Sequence, residues 1–379
     1  MTHARAAHHL RGHGQVVPSF GAFCSSARSP NPNKGESSSM ATEVDIDQQE
    51  MDAVVIQASG SPAESLAYRA EPVPQPGPGE VLVEVHAAAV NPLDIANIQG
   101  LLGTPLPMIP GTDFAGIVVS AGDHVGEEVW GSGPALGMDL GVKRSGTHAR
   151  FVAIPETWLS RKPESLTMAE AAAVGRSHWA AWETLINMME ITPGETILIT
   201  GGGGMVGKAA LDIARWRGAD AIIAARHRPD GAEQFIDTRS TDIHEAALEL
   251  TGGRGADLVL DTVGGALFVP ALRSLRYDGR MVGLHGGAEP VSVDLNEIYS
   301  RQLHVTGLAT VFWDGAHVAG VFDQFRALFD RGILAPPPVK TWPLEQSVDA
   351  YQAVIDGSSG IKQVLLPIDG PAQDVHGER

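Results

Sequence analysis

Apolar positions change their period along this chain. From Met51 onward, short apolar runs alternate with Pro and Gly turns. Residues 53–56, 81–86, 116–120 and 149–154 read as strands, with a Pro/Gly connector over 72–79. This half predicts a compact, β-rich unit. Near residue 164 the spacing turns helical, over 164–174 and 179–189, with Ser165 or Thr167 available as an N-cap. After a turn at Pro193 and Gly194, strand and helix alternate. Strands are predicted over 196–200, 221–225, 257–261 and 279–284, and helices over 206–217, 243–251 and 268–275. Such alternation of short apolar strands with helices specifies a doubly wound parallel sheet. No internal repeat is visible.

Composition narrows the function classes. With 379 residues, 43% of them hydrophobic, the chain has enough apolar material for two domains. No run approaches the ~18 apolar residues of a membrane span, so a transmembrane protein is not expected. The 27 basic residues are outnumbered by 45 acidic ones, a net charge of −18. That charge repels phosphate backbones and anionic lipid, so neither nucleic acid nor a membrane is an expected partner. Cys24 is the sole cysteine, which excludes an intrachain disulfide framework and a cysteine-rich metal site.

The first residues differ from the rest. Residues 1–35 carry Arg5, Arg11, Arg28 and Lys34 with no Asp or Glu, and four histidines (His3, His8, His9 and His13). Three readings stand side by side: a disordered tail, sequence upstream of a true start at Met40 or Met51, or an organelle transit peptide. The expected location is the cytoplasm, with organelle targeting by residues 1–39 as the alternative.

The chemistry-bearing motif lies at the first strand-to-helix turn of the α/β half. The strand over 196–200 runs into Gly201, Gly202, Gly203, Gly204, Met205, Val206 and Gly207, and a helix follows. Residues without a Cβ allow a tight turn and close approach of the backbone to a pyrophosphate. The helix N-terminus then offers free N–H groups and the positive end of its dipole. The strand–glycine–helix context raises this from a glycine-rich turn to a dinucleotide-binding loop. An NAD-preferring fold places Asp or Glu at the end of the second strand, for the ribose hydroxyls. Here the strand over 221–225 ends in Arg226, His227 and Arg228. Guanidinium groups suit a 2′-phosphate by charge and bidentate geometry, so NADP(H) is expected over NAD(H). The alternative is that Arg226 and Arg228 are solvated loop charges.

Several motifs together resemble the zinc-independent quinone oxidoreductases of the medium-chain dehydrogenase/reductase superfamily. They are Asn91-Pro92 with Asp94, the stretch from Ile109 to Val118, the glycine loop, Asp261 to Gly265, and the closing stretch from Gly360 to Leu366, in the family's order over roughly residues 52–367. The resemblance implies an α/β fold with a GroES-like β-rich catalytic domain (51–173 and 313–368) and a Rossmann NADP(H)-binding domain (174–312). Residues 1–50 would be an extension and 369–379 a tail. It implies an active-site cleft between the domains and a homodimer joined through the edges of the Rossmann sheets. Val263, Gly264, Leu284 and His285 would lie with the glycine loop, Arg226 and Arg228 in the cofactor site, and Asn91 would face cofactor and substrate.

The same resemblance frames the metal question. Zinc-dependent members place Cys near Asn91, and His-Glu at Thr112-Asp113. Without those ligands a Cys/His zinc centre cannot be built, and no metal is expected. Oxidation of simple alcohols usually relies on a Lewis acid, whereas a quinone or a conjugated C=C spreads the incoming charge itself. The expected reaction is therefore hydride transfer from NADPH to a quinone or α,β-unsaturated carbonyl. The alternatives are an enoyl-thioester reductase of the same superfamily and an NADPH-binding protein without turnover.

Some positions depart from the pattern. Ala96 and Trp179-Ala180-Ala181 replace hydroxyl-bearing residues common in the family. The candidate catalytic groups left are Asn91, Ser177 and His285. Asn91 is either an amide donor or the cap of a turn before Pro92. Ser177 and His178 are either donors or N-terminal helix residues. His285 is either a proton donor or a hydrogen-bonded loop histidine. Only residues 226–230 separate the second strand from the next motif, too few for the helix of about three turns usual there. Lys362 matches the family's Gly-Lys stretch only with one inserted residue, and no role is assigned to it. Trp179, Trp182, Met188 and Met189 are expected in the core.

Overall fold

The structure is a computed structural model that describes residues 50–120, 123–133, 140–287, 289–310, 313–357 and 360–368. The expectations for residues 1–49 and for the tail over 369–379 fall outside the described residues.

The β-rich half begins with β1 (Glu50–Ile56), which pairs antiparallel with β2 (Leu66–Pro72) across the single-turn helix α1 (Pro62–Ser65). Then follow β3 (Glu80–Ala89), α2 (Pro92–Ile98), β4 (Asp113–Ser120), β5 (Glu128–Ser132), β6 (Phe151–Pro155) and the two-residue β7 (Ser160–Arg161). The chain crosses to the α/β half through α3 (Met168–Trp182). Thr167 caps α3, accepting from the Glu170 N–H while the Glu170 carboxylate accepts from the Thr167 N–H. The two helices expected over 164–189 are thus one helix, with a break at Gly175 and a π-helical turn over Glu183–Met188.

The α/β half holds β8 (Thr196–Thr200), α4 (Met205–Trp216), β9 (Asp220–Ala225), β10 (Gln234–Asp237), α5 (Ile243–Leu250), β11 (Ala256–Asp261), α6 (Phe268–Arg273), β12 (Leu275–Gly283), α7 (Leu295–Ser300) and β13 (His304–Gly307). Its sheet runs β10-β9-β8-β11-β12-β13, every pair parallel. β8 and β11 are buried at every position, the signature of a strand covered on both faces. No helix lies between β9 and β10.

The last segment returns to the first sheet. α8 (Gly315–Asp330) leads to β14 (Val339–Pro343), α9 (Ser347–Ile355) and β15 (Lys362–Leu366). The order is β14-β15-β3-β4-β5-β7, with β6 paired along the first half of β3. An aromatic cluster ties α3 and α8 to β5: Trp130 meets Phe322 edge-on at 4.9 Å, and Trp182 meets Phe325 at 5.2 Å. Trp179, Trp182 and Met189 are in this core as expected, and Met188 is half-buried against it. Among the described residues, no helix is long and apolar enough to cross a membrane.

Candidate active site

Strand register builds the first part of the site. β15 pairs antiparallel with β3, Val364 opposite Ala89, and β3 pairs with β4, Ala89 opposite Asp113. The C-terminal end of β3 and the N-terminal ends of β4 and β15 therefore coincide. Asn91, Asp113 and Lys362 meet there, all buried. Lys362 Nζ donates to Asn91 Oδ1 at 2.5 Å, and Asn91 Nδ2 donates to Asp113 Oδ2 at 2.9 Å. Asp94 Oδ2 accepts the Asn91 N–H at 2.8 Å. Both ends of the Asn91 amide are thus spent inside the chain. As a candidate donor to substrate, Asn91 is instead the joint between a buried cation and a buried carboxylate.

The Gly175 break completes this cluster. Gly175 has φ +23° and ψ −136°, and a Cβ there would overlap the Asp113 carboxylate. The break restarts the helix at Arg176, whose N–H donates to Asp113 Oδ2 at 3.0 Å. A carboxylate thus caps the second half of α3. The Arg176 guanidinium reaches the Gly133 carbonyl in the β-rich half and the Thr310 carbonyl beyond β13. Ser177 Oγ donates back to the Val174 carbonyl at 3.1 Å, so its hydrogen is held across the break rather than offered to a ligand.

Burial governs the charges. It pushes Asp94 up and Lys362 and Arg176 down, with Asp113 and Asp94 partly offsetting the effect on the two cations. His148, whose Nδ1 lies 2.9 Å from Tyr351 Oη, is lowered by burial. His178 is pushed down to about 4 by burial and is neutral in the fold.

The second part is the glycine loop at the C-terminal end of β8. A Cβ on Gly201 would overlap Thr262, one on Gly202 would overlap Ile223, and one on Gly207 would approach Gly202 Cα at 2.5 Å. These three glycines serve packing, and Gly201 also has φ +67°. Gly203 differs: the nearest atom to its Cβ position is the His227 carbonyl, 4.0 Å away. Gly204 is the N-cap of α4, so the N–H groups of Met205, Val206 and Gly207 have no intrahelical partners. This cradle, open at Gly203 and ending in a helix N-terminus, fits the phosphates of a dinucleotide.

Asp261 fixes the facing wall. Its Oδ1 accepts from Thr200 Oγ1, from Val263 N at 3.1 Å and from Gly264 N at 3.0 Å. Gly264, at φ +69°, leaves no room for a Cβ against the His285 carbonyl. Val263 is exposed and Leu284 half-buried at the mouth. The Gly287 N–H donates to His285 Nδ1 at 2.9 Å, and the Val263 carbonyl lies 3.1 Å from the same nitrogen, so either ring tautomer finds a partner there. Arg226 is exposed and makes no contact among the described residues. Arg228 is exposed, its guanidinium over the Phe235 ring at 5.5 Å. Sequence reasoning missed Lys362, Arg176 and the Gly175 break. The only signal for them was a buried-strand pattern around one lysine.

Two family models match: an alcohol dehydrogenase GroES-like domain over residues 77–164 and a zinc-binding dehydrogenase domain over 205–324. A zinc-type alcohol dehydrogenase-like protein of Schizosaccharomyces pombe is 30% identical over 297 residues, covering 76% of this chain and 88% of that protein. Quinone oxidoreductase-like protein 2 of Rattus norvegicus is 28% identical over 313 residues, covering 78% and 87%. The solved structure of an alcohol dehydrogenase superfamily protein from Novosphingobium aromaticivorans superposes with a TM-score of 0.74 at 30% identity, covering 84% of this chain and all of that one. With this architecture and these relatives, the chain belongs to the medium-chain dehydrogenase/reductase superfamily, as an oxidoreductase of the quinone oxidoreductase-like type on an NAD(P)(H)-binding fold.

Proposed function

We propose that this chain is a zinc-free, NADPH-dependent reductase that delivers hydride to a quinone or an α,β-unsaturated carbonyl. The observation that carries this reading is the Lys362–Asn91–Asp113 cluster. The family resemblance places the ligands of zinc-dependent members near Asn91 and at Thr112-Asp113. Here the amide and the carboxylate are hydrogen-bonded to each other and a buried ammonium lies against them. Among the described residues there is no group of three or more His, Cys, Asp or Glu placed to hold a metal. A dication would have to displace Lys362, and the donor set does not fit zinc. An acceptor that delocalises its own charge suits such a site.

NADP(H), when bound, supplies the hydride. The opening at Gly203 and the N-terminus of α4 take the pyrophosphate, and Arg226, exposed just after a β9 that itself ends without an acid, takes the 2′-phosphate. Val263 and Leu284 wall the nicotinamide end. His285, exposed at the same end, is the candidate proton donor to the acceptor oxygen.

A homodimer fits the same reading. β13 is exposed at all four positions and, among the described residues, forms an open edge of the parallel sheet. Leu295 and Tyr299 stand beside it at 74% and 82% exposure. Sedimentation at micromolar concentration should give twice the chain mass; a monomer would remove this part of the proposal.

The test is a fluorescence titration of the full chain with NADPH and NADH. Quinones, short enones, a crotonyl thioester and simple alcohols with NADP+ are then added. Preferential NADPH binding and its consumption by a quinone or enone are expected. Consumption only by the thioester, or binding without consumption, would replace the proposed substrate. Chelator-sensitive alcohol oxidation would overturn the zinc-free assignment.

A further inference from the structure

The glycine loop lies at the C-terminal ends of the parallel strands. Their N-terminal ends carry a different feature. A recess of about 440 Å³ opens beside the starts of β11 and β12, lined by Arg254, Arg273, Arg276 and Arg301 with His244 and Tyr277. Four guanidinium groups converge there in a chain whose net charge is −18.

Two carboxylates reach these arginines. Asp257 Oδ1 accepts from Arg254 Nη1 at 2.8 Å and from Arg276 Nε at 2.5 Å, while its Oδ2 accepts the Thr196 N–H. Glu297 accepts from Arg273 Nε and Nη2. Arg301 makes no hydrogen bond to a carboxylate, although Glu297 is within electrostatic reach; its Nη2 donates to the carbonyls of Arg273 and Leu275. Asp242 and Asp294 also lie within electrostatic reach of Arg273. Arg301 Nε and Nη1, Arg276 Nη2, Arg273 Nη1 and Arg254 Nε have no partner among the described residues. His244 Nδ1 is buried with no hydrogen-bond partner. Convergent guanidinium groups with unspent donors, beside a buried unpaired ring nitrogen, form a cradle that an anion can complete by charge-assisted hydrogen bonds.

We propose that this recess is a binding site for a phosphate dianion, free or as a small phosphate monoester. It is separate from the cofactor site, because Arg254 Nη2 binds Thr196 Oγ1 at the first residue of β8 whereas the glycine loop follows the last. A five-residue strand spans about 16 Å. The exposed Tyr277 ring would meet the organic part of a monoester.

The Arg273–Glu297 pair gives a test with opposite signs. The full chain is titrated calorimetrically at low ionic strength with inorganic phosphate and with phenyl phosphate, each with and without NADPH. We expect one saturable site per chain, unaffected by NADPH. Arg273→Gln should weaken binding about tenfold, and Glu297→Gln, which frees Arg273 and removes a competing charge, should tighten it several-fold. A role confined to folding would weaken both variants alike. Tighter phenyl phosphate points to a monoester, and equal affinity to free phosphate. No saturable site, displacement by NADPH, or equal affinity in the two variants would overturn the proposal. Should Arg273→Gln fail to fold, the tightening in Glu297→Gln alone decides.

Discussion

Lys362 donates to Asn91 across 2.5 Å and 271 residues of sequence, and the bond exists because the register of β15 against β3 sets the two residues opposite each other. It joins the strand that closes the sheet to the turn that opens α2. One consequence is direct. Lys362→Met removes the donor to Asn91 Oδ1 and leaves Asp113 and Asp94 facing less positive charge. Losing a buried hydrogen bond from a charged donor costs about 1.5–3 kcal/mol. We expect a loss of that order in denaturant unfolding, with a fall in kcat larger than any change in NADPH affinity. An unfolding midpoint equal to wild type would show that the bond carries no weight.

Gly175→Ala should be as damaging, for a different reason. The backbone there sits at φ +23°, and the new methyl group would overlap the Asp113 carboxylate. A strained φ alone costs on the order of 1–3 kcal/mol. The overlap adds the loss of the Asp113 bond to the Arg176 N–H. A drop in stability under 1 kcal/mol by denaturant unfolding would refute this account of the break.

The glycine loop offers a pair of substitutions that separates packing from binding. Gly202→Ala forces a methyl group into Ile223, so destabilisation is expected. Gly203→Ala meets open space within the chain, so the variant should fold and melt like wild type while losing NADPH affinity by about tenfold or more. Unaltered NADPH affinity in a well-folded Gly203→Ala protein would move the phosphates elsewhere.

Arg226→Glu tests cofactor choice. The side chain is exposed and makes no contact among the described residues, so stability should not change. NADPH binding should weaken about 10–100-fold through loss of a charge-assisted contact, while NADH binding is unaffected or improves. Equal effects on the two cofactors would mean that Arg226 does not read the 2′-phosphate.

His178 gives stability a pH signature. Its pKa falls from 6.5 unfolded to about 4 in the fold because burial disfavours the imidazolium. Between those values the unfolded chain binds the extra proton, so stability rises with pH across the window and is lost as pH falls through it. The full effect is about 3 kcal/mol. His148, lowered in the same direction, adds to it. Urea midpoints between pH 4 and 7 should fall toward acid, and His178→Gln should flatten the curve. A slope unchanged in the variant would assign the acid sensitivity to other groups.

Much of the fold was legible because the deciding features are local. The buried strand, glycine loop and amphipathic helix from Thr196 to Trp216 lie within one short window. The five residues from Arg226 to Asp230 were correctly read as too few for a helix. The polar cluster was not legible. Asn91 and Lys362 become neighbours only through strand pairing, which no local pattern encodes. The inserted residue near Lys362 also obscured its match to other sequences. Helical spacing failed around Gly175 for a related reason. The break is imposed by Asp113, a residue on another strand, so the helix ends expected on either side merge into one element.

The return of β14 and β15 to the first sheet sets an order of assembly during synthesis. The parallel sheet draws all its strands from one continuous stretch, Thr196 to Gly307, and can condense as soon as that stretch emerges. The antiparallel sheet, begun far earlier at β3, waits for its final two strands. Until Lys362 arrives, Asn91 has no donor at Oδ1. On a ribosome, the parallel-sheet half is therefore ready before the half that completes the Lys362–Asn91–Asp113 cluster, and a chain cut short after β13 would carry a cofactor fold with that cluster unfinished.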